Sequence, residues 1–164
     1  MPDTALIQAL QQQAEHERFA SASYQIMSLW CEAANYSGFA SFFSKQAAEE
    51  SEHTEKLHDH LLDRGVMPVF GPLSAPKQDF TDLMSLAKHA ADLERENTRG
   101  IHAAYECALE TRDYPAQVML HWFISEQVEE EAWTDKLLVL VQRASCAGAL
   151  TQLDRHIVKE LTAE

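Results

Sequence analysis

The sequence predicts an all-α fold: a four-helix bundle with one long crossover connection and a short fifth C-terminal helix, built as one domain over residues 1–164. Three observations predict it. Four long segments carry apolar residues at spacings of three and four, the period that lines one face of a helix. Helix breakers are rare, with five Gly and five Pro in 164 residues, and Ala, Leu, Gln and Glu are abundant. Residues 66–80 hold three of the five Pro, lack a helical period, and fall between the second and third segments. A chain of this length can bury one sizeable core.

The first helix is expected over residues 4–34, with Asp3 or Thr4 as its cap. Its seam reads Leu6, Leu10, Gln13, Glu17, Ala20, Tyr24, Met27 and Cys31. Asn35-Tyr36-Ser37-Gly38 is a short turn, so the second helix, residues 38–64, returns antiparallel to the first. Its seam runs through Phe42, Phe43, Gln46, Glu50, His53, Leu57 and Leu61, and Gly65 ends it. The proline-bearing connection is too long for a hairpin turn. It reads as a crossover along the bundle, which lays the third helix parallel to the second.

The third helix is expected over residues 82–112, with a seam of Leu83, Leu86, Ala90, Glu94, Asn97, Ile101, Tyr105 and Ala108. Asp113-Tyr114-Pro115 makes the next turn, and Pro115 suits a first helical position. The fourth helix is expected over 115–147, with Met119, Trp122, Phe123, Glu126, Gln127, Glu130, Trp133, Leu137, Leu138 and Val141 facing the core. Gly148 is expected to break it. Residues 150–161 form the fifth helix, with Leu150, Leu153, Ile157 and Leu161 in one stripe. A helix of ~12 residues is marginal alone, and a closed four-helix core has no place for it, so its stripe is expected to pack on other subunits.

The net charge of −13 argues against nucleic acid as a partner and suits cations. Cys31, Cys107 and Cys146 are odd in number and widely spaced, which reads as reduced thiols in a cytoplasmic protein. The N-terminal residues lack a basic region followed by an apolar run. No stretch has the ~18 apolar residues of a membrane span, so no membrane partner is expected.

Polar residues interrupt each seam at related places. Glu50 and His53 share a helix face at i,i+3, between Phe43 and Leu57. Glu17 lies 33 residues before Glu50, and Glu94 lies 33 before Gln127. The set Glu17, Glu50, His53 therefore recurs 77 residues later as Glu94, Gln127, Glu130. Bundles that hold two metal ions take one Glu from each of two helices and a Glu-x-x-His pair from each of the other two. The first half of this chain keeps that pattern, and the second half has Gln-x-x-Glu. Carboxylates brought within ~4–6 Å of one another cannot all stay ionised without cations. Two divalent ions with Glu50 between them would settle the charge. His with carboxylates suits iron or manganese, with zinc a competitor. Glu49, Glu126 and Glu129 neighbour the pair and could form a third cation site.

On these motifs the chain resembles the ferritins, and within them the non-haem bacterial ferritins, over nearly its whole length. The resemblance implies a ferritin-like bundle in which Glu17, Glu50 and His53 bind the first iron and Glu50 bridges to a second. Glu94 and Glu130 would bind that second iron, with Gln127 beside the dioxygen site. Glu49, Glu126 and Glu129 would hold a third iron. Tyr24 would order the site by hydrogen bonding and lend an electron. The implied activity is ferroxidase: Fe(II) is oxidised with dioxygen or hydrogen peroxide, and ferric mineral is stored in a hollow shell of twenty-four copies. Haem-binding relatives carry a Met after the bridging Glu and a second Glu-x-x-His. Here Ser51 and the Gln127–Glu130 pair stand in those places, so no haem is expected. Animal ferritins carry acidic residues early in the fourth helix that line an entry channel, and Gln117-Val118-Met119-Leu120 has none. Trp122 is expected to pack in the core, and His89, His102 and His121 to be surface or packing residues. A rubrerythrin-type oxidase or peroxidase would keep the second Glu-x-x-His, and a non-catalytic structural shell subunit would have lost its ligands. Both fit the motifs less well.

Overall fold

The computed structural model of the chain describes residues 1–162. Five helices follow in order: α1 Thr4–Ala33, α2 Ser37–Asp63, α3 Leu83–Glu110, α4 Tyr114–Arg143 and α5 Ala147–Thr162. Asp3 caps α1, accepting from the Ala5 amide at 2.8 Å. Asn35, in the left-handed region at φ 61°, makes the tight turn into α2. The α1–α2 contacts pair Ser21 with the Ala47 carbonyl and Ser28 with the Ala40 carbonyl, both at 2.7 Å, so the two helices run antiparallel. Gly65, at φ 72°, closes α2, and the Val66 amide reaches back to the Leu61 carbonyl at 2.9 Å.

The connection after Gly65 has no regular structure and ends on Phe80, whose carbonyl accepts from the Trp30 indole at 3.1 Å. It has travelled the length of the bundle, from the Arg64–Asp113 ion pair to the far end of α1. The expected crossover is therefore present, and α3 lies parallel to α2. Asp82 and Ser85 form a reciprocal capping box at the start of α3. Asp113 caps α4 through the Ala116 amide at 3.1 Å while also pairing with Arg64. Among the described residues no helix is long and apolar enough to cross a membrane.

The apolar interior falls into two parts. One gathers Tyr24, Met27, Phe39, Phe42, Phe43 and Leu86 with Leu137. The other gathers Leu6, Leu10, Leu57, Leu61 and Ile101 with Leu120 and Phe123. Between them runs a belt of buried polar side chains: Glu17, Glu50, His53, Glu94, Gln127 and Glu130. The apolar halves hold the four helices rigidly on both sides of this belt. Phe42 meets Trp133 edge to face with ring centroids 5.0 Å apart, a pairing worth ~0.5–1.5 kcal/mol beyond its buried area.

Four expectations need correction. The first concerns where α4 ends: it stops at Arg143, and the chain turns at Ala144, with ψ 74°. Gly148 lies inside the first turn of α5, so it is not the breaker. The second concerns α5, which folds onto its own bundle against α2 and α4. Its Ile157 is fully buried, and Leu150, Leu153 and Leu161 pack against the Phe39–Leu137 half of the core. The Asp154 carboxylate accepts from the Phe39 amide at 3.0 Å, at the positive end of α2. Gly38 makes that approach possible, because a Cβ there would overlap the Asp154 carbonyl. The third concerns the early part of α4, which is rotated from the expected seam. Ala116 and Leu120 are buried, whereas Met119 is only partly covered and Trp122 is 37 % exposed. The fourth is at Tyr105, where Ala104 takes the core position instead.

Candidate metal centre

Each of the four long helices contributes to the belt because each breaks its own apolar seam with polar residues at the same height in the bundle. Glu17 comes from α1, Glu50 and His53 from α2, Glu94 from α3 and Glu130 from α4. All five are buried, at 0–5 % exposure. Glu17, Glu50 and His53 offer one ligand atom each within 4.8 Å of one another, and so do Glu50, Glu94 and Glu130. Glu50 belongs to both sets. His53 Nδ1 lies 3.2 Å from Glu50 Oε2 and 3.7 Å from Glu17 Oε2.

The carboxylates are steered by neutral donors. Gln13 Nε2 donates to Glu17 Oε1 at 2.7 Å, and Asn97 Nδ2 to Glu17 Oε2 at 3.4 Å. The Tyr24 hydroxyl donates to Glu94 Oε1, and Gln127 Nε2 to Glu94 Oε2 at 3.2 Å. Gln127 Nε2 also reaches Thr98 Oγ1 at 3.1 Å, whose hydroxyl donates to Glu131 at 2.6 Å. The Trp133 indole donates to Glu130 Oε2. Of these partners only Tyr24 and Gln127 stand out in the sequence as site residues. Gln13, Asn97 and Trp133 sit on the expected seams, and their signal is a polar or aromatic residue three or four places from a buried carboxylate. Thr98 and Glu131 carry no such signal.

Four buried carboxyls and one imidazole share little water. Burial drives Glu50 well above the ordinary carboxylate range, with the Glu94 and Glu17 charges adding to it. Burial and the Glu94 charge do the same to Glu130. Burial raises Glu94 as well, against the lowering effect of its Tyr24 and Gln127 donors. At Glu17 burial is outweighed by hydrogen bonds, chiefly from His53, and its pKa falls below the usual value. Burial would lower His53, but the Glu17 carboxylate beside it prevails and the pKa rises. Tyr24 is held well above its ordinary value by burial and then by Glu94, so it remains a hydroxyl donor. Without cations the cluster therefore retains protons. Divalent ions would displace them.

A cavity of about 350 Å³ adjoins the belt between α2 and α4 and is lined by Glu49, Glu126, Glu129 and Glu130 with Gln46 and Lys45. The three residues expected at a third cation site thus share one wall. The close-set group at that side is His53, Glu126 and Glu130, whose ligand atoms lie within 4.8 Å of one another. Glu49 is engaged by Gln46 Nε2 at 2.7 Å and by Lys45 at 3.4 Å. Trp122 is not the core residue expected. It stands edge-on to His53, with ring centroids 5.3 Å apart, and the Lys56 ammonium lies 4.3 Å from its own centroid. His121 is exposed and bonds the Tyr105 hydroxyl at 2.8 Å, His102 is exposed, and His89 packs against Phe80.

A family model for the ferritin-like domain matches residues 7–144. A bacterial non-heme ferritin of Staphylococcus aureus (strain MRSA252) is 41 % identical over 127 residues, spanning 77 % of this chain and 76 % of that protein. One from Staphylococcus haemolyticus is 39 % identical over the same shares. Among solved structures, an open-pore ferritin of the archaeon Archaeoglobus fulgidus superposes with a TM-score of 0.92 over 100 % of both chains, at 23 % identity. An engineered closed form of the A. fulgidus ferritin gives 0.91 at 25 % identity, covering 100 % of this chain and 98 % of that one.

Proposed function

The chain belongs to the ferritin family, and from that premise we propose that it is an iron-storage protein with a ferroxidase centre of its own. Iron is the substrate and cargo. Glu17, Glu50 and His53 take one ferrous ion, and Glu50, Glu94 and Glu130 the other. Each ferrous ion gives one electron to dioxygen, which leaves as hydrogen peroxide. Four waters are consumed, two ferric oxyhydroxide units form, and four protons are released. With hydrogen peroxide as the oxidant the same pair of electrons is accepted and water is the product. The ferric product passes to mineral inside a shell of copies, twenty-four by analogy with the family. The chain acts as one domain over residues 1–164 in this reading. Haem has no part in it.

A single observation carries the proposal: Glu50 is common to two adjoining ligand sets, each of three residues. Two cations placed there share one carboxylate, and dioxygen needs two electrons at one place. Tyr24 and Gln127 act on the same centre by fixing the Glu94 carboxylate. Tyr24 is also close enough to the pair to lend an electron. Glu126 and Glu129, with Glu49 behind them, form the cation-attracting mouth on the α2–α4 side and the site of a third ion. The cytoplasm is the compartment that suits three free cysteines.

The test is a metal titration under nitrogen. Cobalt(II) added to metal-free protein is expected to develop its visible absorption up to about two ions per chain, with weaker binding beyond. Glu50→Ala is expected to lose both tight sites. Saturation at one tight ion, or unchanged binding in Glu50→Ala, contradicts a carboxylate shared between two ions.

A further inference from the structure

Gln127 Nε2 carries two protons and meets three oxygens. It lies 3.2 Å from both the Glu94 carbonyl and Glu94 Oε2, and 3.1 Å from Thr98 Oγ1. A carbonyl oxygen can only accept, so the amide nitrogen of Gln127, and not its oxygen, faces α3. That nitrogen can only donate, so Thr98 Oγ1 accepts from it. The proton of Thr98 goes back across to α4, to Glu131 Oε1 at 2.6 Å. Donors and acceptors therefore alternate in one sense along the whole run: Gln127 donates to Glu94 and to Thr98, and Thr98 donates to Glu131.

The Thr98 proton could have gone elsewhere. A Ser or Thr inside a helix often returns its proton to the carbonyl four residues back. Ser23, Thr54 and Thr111 do so here, to Phe19, Glu50 and Cys107 at 2.8, 3.0 and 2.8 Å. For Thr98 that carbonyl belongs to Glu94, and it accepts from Gln127 instead. Glu131 takes the proton that would compete for it. Thr98 and Glu131 are half-buried, and neither belongs to the two ligand sets that meet at Glu50. Their influence on a bound ion therefore runs through Gln127 and Glu94.

We propose that Thr98 and Glu131 are positioning residues of the metal centre: Glu131 draws off the Thr98 proton, Thr98 then accepts from Gln127, and the Gln127 amide is held against Glu94 so that the carboxylate is aimed at the ion it shares with Glu130. The inference rests on the two-ion reading above. It sets the second ion apart from the first. The Glu94 carboxylate is steered through this run from α4, whereas Glu17 is steered by Gln13 and Asn97, which have no part in it. Loss of either outer residue frees one proton or one carbonyl that Gln127 must then satisfy by moving, and Glu94 loses its aim.

The test is competitive zinc(II) titration of the assembled, metal-free protein, read as two separate constants. Thr98→Val and Glu131→Ala are each expected to weaken the ion on Glu94 and Glu130 several-fold, less than the ~10–100-fold typical of a partner that touches the ligand itself. The ion on Glu17 and His53 is expected to keep its wild-type affinity. Thr98→Ser keeps the hydroxyl, and Glu131→Gln keeps an acceptor oxygen without the charge, so both are expected to bind as the wild type does. In a Gln127→Leu background, Thr98→Val is expected to add nothing. Wild-type affinity for the second ion in either Thr98→Val or Glu131→Ala overturns the proposal. Equal weakening of both ions also overturns it, because that marks a general loosening of α3 against α4. So does Glu131→Gln as weak as Glu131→Ala, which marks an effect of charge alone, or a full effect of Thr98→Val without Gln127. A wild-type protein with no second tight zinc ion removes the two-ion reading itself, and the proposal with it.

Discussion

Tyr24 and Gln127 hold one oxygen each of the Glu94 carboxylate, so that group is aimed before any ion arrives. Outer partners of this kind commonly change metal affinity by ~10–100-fold when removed. Tyr24→Phe is expected to weaken the ion bound by Glu94 and Glu130 by about tenfold and to leave the Glu17–His53 ion almost unchanged. Competitive zinc titration, read as two separate constants, measures this; equal weakening of both ions would contradict it. The shifted titrations give a second prediction. Glu50, Glu94, Glu130 and His53 all have folded-state pKa values above their ordinary ones. Their contribution to stability is complete below the unfolded values and is lost as pH rises through the folded ones. His58, His60 and His89 are shifted the other way and act in both forms alike, so the melting temperature of metal-free protein should fall relative to that of metal-loaded protein between pH ~6 and pH ~8, the window that opens at the ordinary His value of about 6.5. The difference arises because metal replaces the protons of the belt, and a gap between the two forms that stays constant over that window would contradict it. The convergence of Glu17, Glu50, His53, Glu94 and Glu130 was legible in the sequence, because a charged residue in a Leu stripe contradicts its surroundings. Gln13 and Asn97 were legible as seam positions but not as partners of Glu17, because a neutral amide carries no charge to set against an apolar stripe, and Thr98 gave no signal.

At the scale of elements, α5 is fixed by one buried carboxylate. Asp154 satisfies the Phe39 amide at the start of α2, and Gly38 lets the two backbones meet. Asp154→Ala is expected to cost ~1 kcal/mol, the usual loss for a helix cap, and to lower the melting temperature by about 2–4 °C. The metal-free protein is the form to measure, and an unchanged melting temperature would mean that α5 is held by its apolar stripe alone. This contact also explains the misread end of α4. Residues 144–147 carry no strong breaker, and Gly148 was the one visible signal. The chain turns earlier because Asp154 and Ile157 must reach the end of their own bundle, a demand set by residues more than a hundred positions away. The long elements were legible because their periodicity runs for seven or eight turns. The early face of α4 was not, because Met119 and Trp122 are as apolar as Ala116 and Leu120, and periodicity cannot choose between adjacent stripes of equal hydrophobicity.

Across the whole molecule, two apolar halves clamp a polar belt, and the belt contains what the rest of the interior excludes. The net charge of −13 has a local counterpart in the mouth formed by Glu49, Glu126 and Glu129. The global fold was readable because the bundle needs only four periodic segments and one crossover. The central claim is that this belt oxidises iron as a pair. Stopped-flow absorbance in the near ultraviolet tests it most directly, with metal-free protein mixed in air with increasing ferrous iron beside Glu50→Ala. The account predicts a fast phase that saturates at about two irons per chain and is absent from the variant. A wild-type protein without a saturable fast phase, or a variant that keeps it, would contradict the account.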